Sequence, residues 1–428
     1  MILRDPVHGL LAFESEEASI VPRLLATREV QRLRRIKQLG VTSLAFPGAE
    51  HTRFSHALGT AHVMCRLLTR LRDLHEQLPF WQRVSSDRAQ DALAAALLHD
   101  VGHGPLSHLF ESALPRVPHH EHWSSAILLD PQTEVHRALA HGDPGRPARV
   151  AELVHGRHEF PYLAHAVSGA LDVDRCDYLL RDAHATGVRY GDFDLGWLLR
   201  SLRFGVSTGD KAPPLAVDGY KGLVAIEEFL LSRFFMFQQV YFHKSTRAAE
   251  CMIRAALALA VEALVDGETL PGVPPALAAA ARGEDLSIHD YLELDDTTIW
   301  AALHAWEDAR PPVLRDLCRR LRARALFKTV ELVGDRAEPG PSEEALHRAQ
   351  EIAADHGIAE GLVFLDVAHD VPISSEDEPP LVLLSNGDVK PLHEVSFLLG
   401  RLFDATFSRV RLIFPSELRD PMRRAFGS

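Results

Sequence analysis

Between Asp91 and His108 the chain reads DALAAALLHDVGHGPLSH, and no other run restricts the fold as strongly. Alanine and leucine are the best helix formers. A stretch of them without a polar face can only be a helix surrounded by other elements. Asp91 is expected as its N-cap, and Gly102 with the pair Gly104-Pro105 stops it. His99-Asp100 therefore places an imidazole beside a carboxylate at the end of a buried helix. Borderline divalent metals accept both ligand types and leave positions open for water.

The flanking chain reads mostly as helix up to about residue 265. Met64, Leu67, Leu68 and Leu71 recur at the helical period, and a long helical stretch is expected from Gly222 to Val261. Phe46-Pro47-Gly48, the run 142–145, Pro271 to Pro275 and Pro311-Pro312 are breaks. After about residue 325 the texture changes. Strands are expected at 327–333, 361–367 and 381–384, a helix at 342–357, and a turn at Ser385-Asn-Gly-Asp388.

Composition narrows the function. The formal charge is −13, which argues against a basic surface for duplex nucleic acid but leaves room for a local pocket holding a small phosphorylated ligand. Four cysteines stand far apart, so neither a disulfide frame nor a thiolate zinc site is expected. No apolar run approaches the length of a membrane span, and the first residues lack the layout of a signal peptide; a cytoplasmic location is expected. Histidine is the outlier. There are 24, eight of them from His99 to His141, and histidine is the side chain that ligates metals and moves protons near neutral pH.

Three stretches carry the chemistry. His56 opens the helix after His51-Thr-Arg-Phe-Ser, the pair His99-Asp100 closes the buried one, and Asp174 lies in Leu171-Asp-Val-Asp-Arg-Cys-Asp-Tyr178. Asp174, Tyr178 and Asp182 follow at i, i+4 and i+8 on one face. Satisfied core polar groups are the alternative, but four ionisable side chains converging without a cation are costly to bury. His, then His-Asp, then Asp on successive helices resembles the HD phosphohydrolase superfamily.

Longer stretches are similar to one branch of it, the deoxynucleoside triphosphate triphosphohydrolases. They are Gln31-Arg-Leu-Arg-Arg-Ile-Lys-Gln-Leu39, Phe46-Pro-Gly-Ala49, Arg53-Phe-Ser-His56, 99–108, 172–178 and Tyr241-Phe-His-Lys244. The likeness runs from Asp5-Pro-Val-His-Gly9 to at least Lys328 and is to bacterial members without a SAM domain. It implies a mainly α fold: an HD-domain helical metallophosphohydrolase core over 1–310 and a small C-terminal α+β lobe over 311–428, regulatory or oligomerising.

By that resemblance His56, His99, Asp100 and Asp174 hold one divalent ion (Mn, Mg, Fe, Co, Ni or Zn). The implied reaction releases deoxynucleoside and tripolyphosphate from a dNTP. His108 is the expected acid, oriented by Glu111 where the family usually has Asp, and His103 and His120 contact the α-phosphate. Arg53, Arg175 and Arg233, with Lys244 as an alternative, match phosphate contacts. Gln38 and Leu39 match sugar-packing positions, Asp182 the acceptor of the 3′-hydroxyl, and Tyr178 and Tyr241 a wall that excludes a 2′-hydroxyl. Gln31, Arg34, Arg324 and Lys328 match part of an allosteric nucleotide pocket, but Ala26 stands where the family has the carboxylate that reads guanine. A different nucleotide effector or constitutive activity fits better, in a homo-oligomer, dimer or tetramer. The competing readings are another HD phosphohydrolase, acting on single-stranded ends or alarmones, and a nucleotide sensor without turnover.

Overall fold

The computed structural model describes residues 1–114, 117–205, 212–371 and 378–427. A hairpin opens the chain: β1 (Ile2–Asp5) pairs antiparallel with β2 (Gly9–Ala12), and Asp5 and His8 sit at its turn. Helix α1 (Arg53–Asp73) follows, with Met64, Leu67, Leu68 and Leu71 buried on one face as their period predicts. Each such leucine contributes about 1.5–3 kcal/mol on leaving water. Helix α2 (Ser86–Leu98) is the Ala/Leu helix.

Its start differs from the expectation. Ser85 is the cap, its hydroxyl accepting from the Arg88 N–H, and Asp91 lies inside the helix. Asp91 is buried and accepts from Arg146 at 2.9 Å and Arg149 at 2.6 Å. An acid ahead of an apolar run looks like a cap; here it is a buried ion-pair partner instead.

Short helices α3 (His108–Ala113) and α4 (His120–Leu129) lead to α5 (Val173–Thr186). In α5 the Asp172 carboxylate caps the Arg175 N–H at 2.7 Å and Gly187 ends the helix at φ 76°. Beyond β3 (Leu202–Phe204) and β4 (Leu215–Asp218), the stretch expected as one helix is broken. Helix α6 (Leu223–Met236) runs into a π-turn, Phe237–Tyr241, and a new helix α7 (Lys244–Val265) begins after His243, whose ring accepts from the Ser245 N–H. A wide turn of this kind re-aims the side chains it carries, Tyr241 among them.

Within residues 311–428 the elements go to different partners. Helix α8 (Pro312–Arg322) buries Leu314, Leu317, Cys318 and Leu321 in a second core against α7. Strands β5 (Lys328–Leu332), β6 (Phe364–Asp370) and β9 (Phe407–Phe414) form an antiparallel sheet of order β5-β9-β6, covered by α9 (Pro341–Asp355) and α10 (Arg419–Phe426). The hairpin β7 (Leu381–Leu383) and β8 (Val389–Pro391) returns to the helical body, where β7 lies parallel to β4. Alternation along β9 serves both sides of its sheet. Val410, Leu412 and Phe414 enter the tail core while Ile413 enters the second core.

No helix among the described residues is long and apolar enough to cross a membrane.

Candidate metal centre and the histidine cluster beside it

Three elements deliver the first set of groups. His56 comes from the first turn of α1, His99 from the end of α2 and Asp174 from the first turn of α5. His56 Nε2 lies 3.0 Å from Asp174 Oδ1 and 3.3 Å from His99 Nε2, and His99 Nε2 lies 3.5 Å from the same oxygen. Asp100 is close, at 3.5 Å from His99 Nε2 and 3.8 Å from His56 Nε2, but its carboxylate also takes Arg53 and His103.

Both ring tautomers follow from the partners of the far nitrogens. His56 Nδ1 donates to Asp177 Oδ2 at 2.8 Å, and His99 Nδ1 donates to the Ala96 carbonyl at 2.9 Å. A carbonyl and an ionised carboxylate only accept, so in each neutral ring the lone pair is on Nε2. Two imidazole lone pairs and a carboxylate oxygen facing one another is a donor set that fits a divalent cation.

Without a cation, a proton takes that place. Burial opposes charge on His56, but its hydrogen bonds to Asp174 and Asp177 outweigh it and raise the ring to about 10. His99 is raised too, by the Asp100 and Asp174 charges working against burial. Burial works against the ionised forms of Asp174 and Asp100. The imidazoles nonetheless hold Asp174 below its ordinary value, as Arg53 and His99 do Asp100.

A support network missed at the sequence level lies behind this set. Asp177, fully buried, accepts from His56, from His8 Nε2 at 2.6 Å, and from Arg181 at 2.8 and 2.9 Å; Arg181 also reaches Asp5 at 2.7 Å. Asp5 and His8 are in the N-terminal hairpin, so the first strand pair braces the first candidate ligand. Gly59 makes room for it: a Cβ there would collide with the Asp177 carboxylate. The available signal was spacing, since Asp177 stands three residues after Asp174 and Arg181 four after Asp177.

The His99-Asp100 loop is pinned from both sides. The Gly102 carbonyl accepts from Tyr291 at 2.8 Å and the His103 carbonyl from Arg32 at 2.9 Å. A Cβ on Gly102 would lie 2.3 Å from the His120 carbonyl, so only glycine lets α4 approach. That approach forms a second cluster. His103 stacks on His120 with centroids 3.7 Å apart, and Glu111 receives His120 Nδ1 at 2.8 Å and His108 Nδ1 at 3.3 Å. His119, not singled out in the sequence, also points at Glu111, at 3.3 Å. Burial disfavours the Glu111 carboxylate, but His108 and His120 hold it below its ordinary range. His103 is kept neutral by burial and then by Arg53. Its Nε2 faces Asp100 at 3.3 Å, and its buried Nδ1 has no hydrogen-bond partner. A neutral ring donating to Asp100 has no proton left for a phosphate oxygen, so the contact expected of His103 is not set up in this arrangement.

A third group forms the far wall. Asp182 accepts from His51 Nε2 at 2.7 Å and from the Tyr241 hydroxyl at 2.8 Å. Tyr178 feels Arg175, Arg233 and Asp174, and Tyr241 feels Asp182, Tyr178 and Arg233; in both rings burial is the first cause of a raised pKa. Gln38, whose backbone N–H bonds the His51 carbonyl, has a buried Oε1 without a partner, and Leu39 packs against the core.

The expected phosphate cations are already engaged. Arg53 is buried on Asp100 and Ser107; Arg175 turns to the Gly169 carbonyl and to Asp172 at 2.6 Å; Arg233 pairs with Asp370 of β6 at 2.9 Å. The four allosteric candidates have these partners within the chain. Gln31 bonds Arg34 at 2.8 Å, whose guanidinium covers Phe54, whereas Arg324 donates to the Leu44 carbonyl and Lys328 is exposed at the start of β5.

Residues 53–182 match the HD domain family, so the match begins at Arg53 and ends at Asp182. Residues 193–271 and 274–426 match the HD associated region. The chain is 35% identical to the uncharacterized protein YwfO of Bacillus subtilis over 97% of its own length and 92% of that protein's. It is 28% identical to the deoxynucleoside triphosphate triphosphohydrolase SAMHD1 homolog of Dictyostelium discoideum, over 77% of this chain and 60% of that one. Among solved structures, a phosphohydrolase from Bacteroides thetaiotaomicron superposes with a TM-score of 0.81 at 27% identity, covering 97% of this chain and 99% of that one.

Proposed function

The chain belongs to the HD-domain phosphohydrolase family, with its associated region, and on that premise we propose that it hydrolyses dNTPs to deoxynucleoside and tripolyphosphate. The observation that carries the reading is the meeting of His56, His99 and Asp174 beside a Glu111-centred imidazole cluster. An Asp182–Tyr241 pair completes the wall. His56, His99 and Asp174 would hold one divalent ion, with Asp100 adjacent. When bound, such an ion polarises a phosphoryl oxygen and makes water a better nucleophile.

The residues of the chain divide the remaining work. Water adds to the α-phosphorus while the bond from phosphorus to O5′ breaks; tripolyphosphate keeps all three phosphoryl groups, and O5′ leaves with a proton. An alkoxide is a poor leaving group, so that proton matters, and a positioned acid contributes about 10²–10⁴-fold. His108 supplies it. Glu111 holds His108 and His120 in register, and His120 meets an α-phosphate oxygen. His103 supports Asp100. Asp182 accepts the 3′-hydroxyl, and Tyr178 and Tyr241 exclude a 2′-hydroxyl by contact. Gln38 Oε1 and Leu39 face the sugar. Arg53, Arg175 and Arg233 are the cations nearest a triphosphate, and their present carboxylate and carbonyl partners must yield to it. A nucleotide effector acting on a homo-oligomer, through Gln31, Arg34, Arg324 and Lys328, belongs to the same reading.

The test is product analysis. Metal-depleted full chain is supplied with Mn²⁺ and, in separate reactions, each dNTP and a single-stranded DNA oligonucleotide, and the products are separated by chromatography. Deoxynucleoside with tripolyphosphate, absent in Asp174→Ala, is the expected result. Nucleoside monophosphate with pyrophosphate, short oligonucleotides from single strands as the only products, or binding without products overturns the reading.

A further inference from the structure

The tail sheet holds the π-turn that carries Tyr241. Alternation along β9 puts Phe407, Arg409, Arg411 and Ile413 on the face turned away from the tail core. Arg411 is buried on this central strand, opposite Glu331 of β5 and Asp366 of β6, and its guanidinium donates to the Phe242 carbonyl at 2.8 Å. Phe242 closes the turn, its own N–H reaching the Phe237 carbonyl at 2.9 Å. Backbone bonding of α7 begins one residue later, from the Arg247 N–H to the His243 carbonyl at 3.0 Å. The Phe242 carbonyl takes a tail guanidinium as its donor. Further contacts bracket the turn. Phe407 stacks on Phe242 and meets Phe234 edge-on, with centroids 6.2 and 5.7 Å apart. Asp370 of β6 holds Arg233 before the turn at 2.9 Å, and Asp366 holds Arg247 after it at 3.0 Å. Turns of this width are rare and gather at functional sites. Here the side chain that the turn aims is Tyr241, whose hydroxyl donates to Asp182 at 2.8 Å while its ring lies edge-on to Phe237.

We propose that the C-terminal sheet is a working part of the sugar pocket and that Arg411 is its positioning residue, keeping Tyr241 on Asp182 by way of the Phe242 carbonyl. Without that hold the segment can close to regular helical bonding. At about 100° per residue, a change of one residue in the turn swings Tyr241 off Asp182. Arg411 touches no substrate and acts only through the turn. The consequence for substrate rests on the proposed dNTP hydrolysis; the hold on the turn does not.

Hydrogen exchange and kinetics on the full chain decide it. Arg411→Met keeps the alkyl stem and removes the donor. Amides of residues 237–243 should then exchange about tenfold faster than in wild type, with those of α2 unchanged as the measure of global stability. Arg411→Lys restores a charged donor and should recover most of the protection. Phe407→Ala, at a half-buried position, loosens the same turn without disturbing a buried charge and is read in the same way. With dNTPs as substrates, Arg411→Met should raise KM about fivefold, the worth of one hydrogen bond, and raise turnover of ribonucleotides relative to deoxynucleotides, with Mn²⁺ affinity unchanged. In a Tyr241→Ala background the same substitution should add nothing to KM, whereas a loss unrelated to Tyr241 would add in full. Unchanged exchange over 237–243 in both Arg411→Met and Phe407→Ala, or losses additive with Tyr241→Ala, overturns the inference. Faster exchange there in a protein that never hydrolyses dNTPs would sink the proposed activity and leave the hold on the turn standing.

Discussion

Asp177 is the residue whose removal tests the architecture of the metal centre most sharply, although it is not itself a candidate ligand. It accepts four hydrogen bonds, from His8, His56 and twice from Arg181, with no exposure to solvent. In Asp177→Ala the Arg181 guanidinium stays buried with Asp5 alone, and removing one partner of a buried pair costs about 3–5 kcal/mol. His56 loses the acceptor that fixes its tautomer, and outer partners of this kind are worth about 10–100-fold in metal affinity. Asp174→Ala should differ in kind: metal binding is lost outright, and because that carboxylate is one-third exposed and His56 keeps Asp177, the loss of stability is smaller than in Asp177→Ala. Urea denaturation of the metal-free variants and calorimetric titration with Mn²⁺ separate the two effects. At roughly 3 kcal/mol/M or more for a chain of this size, the midpoint of Asp177→Ala should fall by about 1 M. A midpoint within about 0.2 M of wild type, with unchanged Mn²⁺ affinity, would mean that the Asp5–Arg181–Asp177–His56 network does not brace the site.

Proton linkage gives a second expectation. The metal-free His56 ring titrates at about 10, so below that pH a bound cation must displace its proton. Calorimetry at pH 8 in buffers of different ionisation enthalpy should record about one or more protons released per ion and an affinity that rises with pH; zero release contradicts the assignment. The same raised pKa stabilises the metal-free fold below the ordinary 6.5 of histidine, and that contribution is lost as pH climbs through about 10, which melting curves across this window would record. Asp370→Asn should weaken the hold on Arg233 and tighten binding of inorganic tripolyphosphate by up to about fivefold, or ~1 kcal/mol; weaker binding would instead make Asp370 an aid that presents the arginine. Tyr178→Ala should raise turnover of ribonucleoside relative to deoxynucleoside triphosphates by about tenfold if the ring excludes a 2′-hydroxyl, and an unchanged ratio removes it from the sugar wall.

The sequence by itself determined the helices and the local chemistry. Periodicity reports which face of an element is buried, and it marked Met64, Leu67, Leu68 and Leu71; the Ala/Leu run marked α2, and the Gly/Pro stop after His99-Asp100 marked its end. It does not report what covers that face. Only the tertiary structure decided that Asp91 answers two arginines from a later helix, that His8 meets Asp177 169 residues away, and that Asp370 of the tail holds Arg233. The same holds for the π-turn carrying Tyr241, whose flanks are as apolar as those of an unbroken helix, and for β7, which pairs with β4 from the far end of the chain. Backbone hydrogen bonding in a helix is settled within four residues, so composition and spacing reveal it. Charge pairing is settled by distance through space, and a linear reading holds no record of that distance.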